Sequence, residues 1–126
     1  MSQAIQICEA CIGDLPQIQE LAHAIWRTCY PRIITAGQIE YMLERDYNLE
    51  ALEREITEEG ICFERLIVDA ESIGFASHGP TDRPGEIKIH KLYVHQDHQR
   101  QGYGGRLLEH IATRRSSEGI ATLVLA

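Results

Sequence analysis

Apolar and polar residues follow two different periods in the first third of the chain. Residues 3–8 alternate in polarity, which is typical of a half-buried strand. Asp14 is a suitable helix cap, and Pro16 is tolerated in a first helical turn. Apolar residues then recur at helical spacing at Ile18, Leu21, Ala22, Ile25 and Trp26. The pattern predicts a strand followed by an amphipathic helix that ends at Pro31.

Two shorter helices are predicted before the next strand. Thr35 and Gln38 have the spacing of a capping box ahead of an apolar stretch. Asn48 can cap a third helix, which Gly60 is placed to end in a left-handed conformation. Residues 32–59 therefore form a helical excursion between strands.

The remainder of the chain predicts four strands and one more helix. The β-prone stretches are 62–68, 73–77, 86–94 and 120–126, with a hairpin turn at 69–72 and a helix ended by Gly119. A strand-helix-strand crossover gives a parallel pair, whereas hairpins give antiparallel pairs. The prediction is one α/β (α+β) domain over residues 1–126, with a mixed, mostly antiparallel sheet flanked by helices.

Charge and composition narrow the possible partners. The 126 residues are 44% hydrophobic and carry a formal net charge of −7. That charge repels nucleic acid and anionic lipid and favours cationic amines. The amino-terminal residues lack the apolar segment of a secretory signal, and no apolar run approaches the length that spans a bilayer. We therefore expect a cytoplasmic protein without nucleic-acid or membrane partners.

The four cysteines do not predict a metal site. They stand at positions 8, 11, 29 and 62, and only Cys8 and Cys11 have metal-like or redox-like spacing. His95 and His98 would complete a zinc site only if the fold brought the two segments together. We expect free thiols in a reducing compartment and no metal.

The loop Gln99–Gly105 is the strongest chemical signal in the sequence. It joins a strand to the start of a helix, where main-chain N–H groups lack partners and the helix dipole is positive. Glycines let an oxygen-rich group approach these donors, so the loop favours a diphosphate. The loop lacks the Lys-Ser/Thr of a P-loop, and Leu107 replaces the third glycine of the dinucleotide fingerprint.

The loop resembles the pyrophosphate loop of the GNAT-type N-acetyltransferase superfamily. Gln99, Gly102 and Gly104 match the motif of Gln or Arg, two residues, Gly, one residue, then Gly or Ala. Residues 91–94 look like the fourth strand of that family, and residues 14–16 are similar to the opening of its first helix. The resemblance implies a GNAT-like acyl-CoA N-acyltransferase fold with acetyl-CoA as cosubstrate. The alternative is that the glycines only make a tight turn.

The resemblance also implies a set of cofactor-binding residues. In the family, the main chain of the fourth strand contacts the pantetheine arm and the loop amides hold the diphosphate, while Arg100 could add a charged contact. The Val94 amide is the implied oxyanion donor. The implied cofactor-binding residues are Leu92, Tyr93, Val94, Gln99, Arg100, Gln101, Gly102, Tyr103, Gly104 and Gly105.

Two residues are candidates for the general base. Glu86 and His90 are four residues apart on one strand, which places their side chains on the same face. The ordinary pKa of histidine suits proton transfer near neutrality. Each has a plainer alternative, since His90 could be a structural or surface residue and Glu86 a solvated residue at the end of a hairpin.

Aromatic residues are the other candidates near the site. Tyr30 and Tyr41 lie in the helical region that borders the acceptor site in the family, and either could contribute there. Tyr93 and Tyr103 favour packing or covering the loop, and Trp26 favours the core.

The sequence departs from the family pattern at its end. Residues 123–126 resemble the middle of the fifth strand, whereas the family continues with a helix and two strands that often provide a tyrosine as general acid. No such residue can be assigned here. An exposed strand edge is usually covered, so we expect a second copy to cover it in a homo-oligomer.

Three functions remain open from the sequence. The first is an N-acetyltransferase that transfers the acetyl group of acetyl-CoA to a primary amine of a small molecule or peptide. The second is a coenzyme A-binding module without turnover. The third is an interaction protein that uses only the scaffold.

Overall fold

The computed structural model describes residues 4–29 and 34–125, and all structural statements refer to these ranges. The strands are β1 (Ile5–Glu9), β2 (Cys62–Val68), β3 (Glu71–Pro80), β4 (Glu86–Val94) and β5 (Thr122–Leu125). The helices are α1 (Leu15–Cys29), α2 (Ala36–Asp46), α3 (Leu49–Thr57) and α4 (Tyr103–Ser116). Short 3-10 turns at Ile12–Asp14 and Gln96–His98 precede α1 and α4.

The strands form one mixed sheet in the order β1-β2-β3-β4-β5. The first three pairings are antiparallel, and β4 pairs with β5 in parallel from Glu86↔Thr122 to Ile89↔Leu125. The crossover through α4 accounts for the parallel pair, as the strand-helix-strand pattern predicted. The mixed, mostly antiparallel α+β class is confirmed.

Helices cover both faces of the sheet. One core joins α1, α2 and α3 to the sheet through residues such as Ile18, Leu43, Leu52, Phe63 and Phe75. The other core joins α4 to the opposite face through Leu66, Ile73, Ile87, Leu107 and Ile111. The loop before α4 therefore lies where the sheet ends and the second layer begins.

Two of the three predicted helix caps form as expected, whereas Asp14 lies within the 3-10 turn before α1 and bonds back to Cys11 instead of capping α1. The Thr35 hydroxyl accepts from Gln38 N–H while the Gln38 side chain accepts from Thr35 N–H, both at 3.2 Å. The Asn48 side chain accepts from Ala51 N–H at 2.7 Å, and Asp14 accepts from Cys11 N–H at 2.8 Å. These caps satisfy donors that a helix leaves without internal partners.

The β2-β3 turn is tighter than the sequence pattern predicted. Asp69 and Ala70 both have positive φ, at 50° and 69°, and β3 starts at Glu71 rather than at residue 73. Two left-handed residues match the twist of a hairpin, so the strands continue up to the turn. β1 runs to Glu9, and β5 is shorter than the predicted 120–126.

Some predictions concern residues that the structure does not describe. The ends of the first and last predicted strands, at residues 3 and 126, lie outside the described ranges, as does Pro31. Leu123 and Leu125 of β5 are 36% and 61% exposed, so a further chain could reach this edge of the sheet. The expected homo-oligomer stays a prediction.

A buried ion network fastens α4 to the sheet. Glu64 and His78 have no exposed surface, and His78 Nε2 lies 3.3 Å from Glu64 Oε1. Arg115 Nε donates to His78 Nδ1 at 3.0 Å, so the proton of the neutral ring lies on Nε2 and faces Glu64. Arg114 donates to Glu64 and also to Glu9, at 3.0 Å for the second contact.

This network lowers the pKa of Glu64. Burial by itself would raise that pKa, but the hydrogen bond from His78 and the positive charge of Arg114 outweigh burial and hold it below the ordinary value of 4.5. A carboxyl group whose pKa is lower in the folded state stabilises the fold above its unfolded-state pKa. That stabilisation is lost as the pH falls through the folded-state pKa.

We predict that Glu64→Gln lowers the free energy of unfolding by about 3 kcal/mol at pH 7, because it removes the buried carboxylate that both Arg114 and His78 share as a partner. The loss should be smaller at pH 3, because that pH lies below the ordinary glutamate pKa of 4.5 and the stabilisation that comes from the lowered pKa declines there. Urea unfolding at both pH values measures this. Glu9→Gln, which removes an exposed partner of the same Arg114, should cost less than about 1 kcal/mol. Equal losses at pH 3 and pH 7 would contradict the assignment.

Candidate functional site

The loop between β4 and α4 turns the chain sharply before the helix begins. Arg100 and Gly102 both have positive φ, at 66° and 80°, and Gly102 is the residue that caps α4. Arg106 N–H donates to Gly102 O at 3.1 Å. The amides of Gly104 and Gly105 therefore precede the first hydrogen bond within the helix. The first turn of α4 carries no acidic residue that would compete for them.

The glycines of this turn are not required by packing within the protein. A Cβ added at Gly104 or Gly105 would meet no atom within 4 Å, and neither residue has positive φ. Glycine in place of alanine costs a helix about 1 kcal/mol per residue. The cost is explained if a ligand uses the open space, since an oxygen-rich group can approach bare main-chain donors closely. The loop therefore fits a diphosphate.

In the carboxyl-terminal half of β4, some main-chain groups face away from β3, on the side of the sheet where β5 lies. His95 N–H donates to Ile73 O at 2.7 Å, and antiparallel pairing alternates which residues bond to the neighbour. The main-chain groups of Tyr93 therefore face β3, whereas those of Leu92 and Val94 face the opposite side. β5 pairs only with residues 86–89 of β4. The edge at Leu92 and Val94 is left open by the described part of β5.

Gln99 connects this edge to the loop. Its side-chain Nε2 donates to Val94 O at 3.1 Å. The Val94 carbonyl is thereby occupied, while the Val94 N–H points the same way along the open edge. Gln99 also holds the start of the loop against the end of β4, which fixes the position of the helix terminus relative to the strand.

The remaining loop residues divide between solvent and core. Arg100, Gln101 and Gly102 are exposed. The Tyr103 side chain is 4% exposed and packs in the α4 core, with its ring 6.5 Å from that of His98. Tyr103 thus presents main chain to the loop and its side chain to the core.

A cavity of about 390 Å³ lies on the other side of β4, beneath α1, α2 and α3. Its wall on the strand consists of His90, Lys91 and Tyr93, and helix residues complete it. The same three strand residues line a smaller cavity of about 210 Å³ beside Leu125, where β4 and β5 separate. The two cavities therefore meet across one short stretch of β4.

His90 is placed at this meeting point by a β-bulge. Ser77 pairs with Lys91 and His78 pairs with Ile89, so His90 is the extra residue on β4. Bulges redirect side chains and are frequent beside active sites. Loss of hydration is the largest effect that lowers the pKa of His90, and the positive charges of Lys88 and Lys91 lower it further. The negative charges of Glu55 and Glu59 raise this pKa, but by less. A lowered pKa keeps the imidazole neutral, as a base requires.

Glu86, the other candidate base, lies elsewhere. It is the first residue of β4 and accepts a hydrogen bond from Thr81 Oγ1 at 2.8 Å. It lines neither of the two cavities that His90 lines. The structure therefore brings His90, and not Glu86, to the cavities next to the open strand edge.

The cavity also contains residues that sequence reasoning did not single out. Lys91 Nζ lies 2.8 Å and 2.9 Å from the two carboxylate oxygens of Glu55. The same ammonium lies over the rings of Tyr47 and Phe63, at 5.1 Å and 5.4 Å from their centroids. The Glu55–Lys91 contact joins α3 to β4 across 36 positions of sequence, so no local pattern could reveal it.

Aromatic rings form the inner wall of this cavity. The Tyr93 ring lies 5.6 Å from both Trp26 and Phe75. Burial raises the pKa of Tyr47, whose hydroxyl interacts with Trp26 and Tyr93. Tyr41 is 65% exposed, lies beneath the guanidinium of Arg45 and does not line the cavity, and Tyr30 lies outside the described residues.

The described residues hold no group of three or more side chains suited to a metal ion. Cys8, Cys11 and Cys62 are free thiols. The ring centroids of His95 and His98 lie 6.4 Å apart. Among the same residues, no helix has the length and apolar character needed to cross a bilayer.

Comparisons with known proteins agree with this geometry. Residues 18–126 match the model of the acetyltransferase (GNAT) family. PaiA N-acetyltransferase from Thermoplasma acidophilum, solved with coenzyme A, is 25% identical, with a TM-score of 0.82 over 93% of this chain and 75% of its own. A GCN5-related N-acetyltransferase from Ralstonia eutropha JMP134 is 17% identical, with a TM-score of 0.75 over 98% and 83%. A search of curated proteins gave no match.

The chain belongs to the acetyltransferase (GNAT) family. Acetyl transfer is accordingly the class of reaction that its fold serves.

We predict that Gly104→Glu weakens coenzyme A binding at least about 100-fold, because it places a carboxylate where the loop would receive phosphates. Gly37→Glu is the matched control. Gly37 is the second residue of α2, as Gly104 is of α4, and a Cβ there also meets no atom within 4 Å. Titration calorimetry with coenzyme A compares the two variants. Equal affinities would show that the loop is not the phosphate site.

Proposed function

We propose that this protein is an acetyl-CoA-dependent N-acetyltransferase that acetylates a primary amine of a small molecule or peptide. The observation that carries the proposal is the meeting of three features on one stretch of β4. The open main-chain edge at Leu92 and Val94, the amides of the α4 terminus, and a cavity beneath α1–α3 all adjoin residues 90–94. This arrangement offers a cofactor path on one side and an acceptor path on the other.

The cofactor would be held mainly by main-chain groups. The amides of the loop, including those of Gly104 and Gly105, would receive the diphosphate, and the helix dipole adds to their attraction. Leu92 and Val94 would bind the pantetheine arm as a further strand would, through groups that face away from β3. The bound thioester supplies an activated acetyl group.

Two groups of the chain itself would then assist the transfer. The Val94 N–H lies on the open edge of β4, and the carbonyl of the same residue accepts from Gln99. The Val94 N–H would therefore be the donor that stabilises negative charge on the acetyl oxygen. His90, with its lowered pKa, would accept the proton that the acceptor ammonium must lose before it attacks. The new bond joins the amine nitrogen to the acetyl carbon while the carbon–sulfur bond breaks, and coenzyme A leaves as a thiolate that takes up the proton lost by the nitrogen as the amide forms.

Thiol release from acetyl-CoA with a panel of primary amines tests the proposal. We expect amine-dependent release together with coenzyme A binding in calorimetry. Binding with only background release across the panel would favour a coenzyme A-binding module without turnover. No binding at millimolar coenzyme A would leave an interaction protein that uses the scaffold.

We predict that His90→Ala lowers kcat/KM by about 10²-fold or more and removes the acid limb of its pH profile. In the wild type, this limb should lie below the ordinary histidine value of 6.5, because the pKa of His90 is lowered and activity requires its neutral form. His23→Ala is the control, since His23 is another histidine with a lowered pKa and lines neither cavity. An unchanged profile in His90→Ala would exclude it as the base.

A further inference from the structure

The base proposed above lies at a position of β4 that sheet pairing does not fix. His90 has no partner in the described register with β3, where Ser77 pairs with Lys91 and His78 pairs with Ile89. It also has no partner on β5, whose described pairing with β4 ends at Ile89. The placement of His90 must therefore depend on the residues on either side of it.

The two neighbours of His90 are held on opposite faces of the sheet. Ile89 is 3% exposed, packs in the α4 core and pairs with Leu125 of β5. Lys91 instead reaches the α1–α3 face, where its Nζ lies 2.8 Å and 2.9 Å from the two carboxylate oxygens of Glu55. The core thus fixes the chain before the bulge, and an ion pair with α3 fixes it directly after the bulge.

The Glu55–Lys91 pair is largely shielded from water. The side chains of Lys91 and Glu55 are 13% and 21% exposed, and the ammonium lies over the rings of Tyr47 and Phe63. Exposed ion pairs contribute little to stability, but the attraction between two charges strengthens as water is removed. Two carboxylate oxygens and two ring faces leave the ammonium few alternative positions. The pair is therefore a firm connection between α3 and β4.

The same ammonium places a positive charge close to His90. Loss of hydration is the largest effect that lowers the pKa of His90, and the charges of Lys88 and Lys91 add to it. The charges of Glu55 and Glu59 act in the opposite direction. The other charged residues that line the same cavity are Arg45, Asp46 and Arg54. Removal of the Lys91 charge would therefore favour the protonated ring.

We propose that Glu55 and Lys91 are positioning residues for His90. Their contact sets where the imidazole lies along β4, and the ammonium of Lys91 favours the neutral form of the ring. Neither residue has to touch the acetyl group or exchange a proton with the acceptor. The proposal rests on the proposed function, because it takes His90 as the base. It adds the ion pair through which α3 acts on that base.

The titration of the His90 ring tests the effect of charge without an assay of turnover. NMR follows the ring protons of the protein alone, and the His90 signal is identified by its absence in His90→Ala. Lys91→Met removes the ammonium, so the pKa of His90 should rise. Adding Glu55→Gln to Lys91→Met should lower this pKa again, since it also removes a negative charge. An unchanged or lower pKa in Lys91→Met would overturn the proposal.

Kinetics test the effect of position. The rates are compared at pH 8.5, where His90 should be neutral in every variant. Lys91→Met and Glu55→Gln should each lower kcat at least about tenfold and change KM for the amine less than about threefold, because a displaced base slows the transfer. Urea unfolding checks that each variant folds, and Glu55→Gln alone tests the contact if Lys91→Met does not. An unchanged kcat, or a loss confined to KM, would overturn the proposal.

The double variant tests whether the two residues act as one unit. Since both single changes break the same contact, Lys91→Met with Glu55→Gln should lower kcat no more than about twofold beyond the larger single effect. Losses that multiply would mean that the residues act independently of each other, which would overturn the proposal.

Arg27→Met is the matched control. Arg27 also bonds both carboxylate oxygens of a residue on another helix, Glu40 of α2, at 2.7 Å and 2.8 Å. Arg27 lines neither cavity, so its loss should leave the pKa of His90 unchanged and kcat within about twofold. Effects equal to those of Lys91→Met would overturn the proposal. A wild type that releases no thiol while Lys91→Met still raises the pKa of His90 would count against acetyl transfer, but would support the action of the pair on His90.

Discussion

The pairing of β3 with β4 is the constraint on which the site depends. The hydrogen bond from His95 to Ile73 fixes the alternation of main-chain groups along the end of β4. Because Tyr93 bonds inward, Leu92 and Val94 must face outward, and the side chain of Gln99 then closes on Val94 O. The position of the α4 terminus follows, since only a few residues separate it from this strand. A shift in this register would redirect both the strand edge and the loop.

Local signals in the sequence predicted much of this arrangement. The Thr35–Gln38 cap, the Asn48 cap and the bounds of the strand 86–94 were confirmed because each depends on neighbouring residues. The loop was singled out for the same reason, since Gly102, Gly104 and Gly105 lie close together in sequence where a helix begins. Element order alone gave the parallel pairing of β4 and β5.

Long-range features escaped the sequence reading for physical reasons. The bulge at His90 arises from the pairing of β4 with β3. Because of this extra residue, Ile89 and Leu92 both pack toward α4, although they are three positions apart. Lys91 and Tyr93 lie on the α1–α3 face. A strict period of two cannot show such an inserted residue. The pairing of Glu55 with Lys91 depends in turn on how α3 crosses the sheet. The cavity was therefore invisible until the fold placed three separate helices over β4.

The two sides of β4 differ in a way that suits their proposed ligands. On the α4 side, main-chain donors and a helix terminus without acidic residues favour an anion. On the α1–α3 side, residues 36–59, which contain α2 and α3, hold eight carboxylates and two arginines, which favours a cation. A short strand segment thus separates two regions of opposite preference, and a transfer between an anionic donor and a cationic acceptor would take place across it.

The central claim is that main-chain amides at the open edge of β4 and at the start of α4 bind the cofactor. Amide chemical shifts recorded by NMR during titration with coenzyme A test it most directly, since they report each N–H separately. The account predicts that the largest changes fall on Val94, Gly104 and Gly105. Saturable binding that leaves these three amides unchanged, with the shifts confined to other parts of the chain, would contradict it.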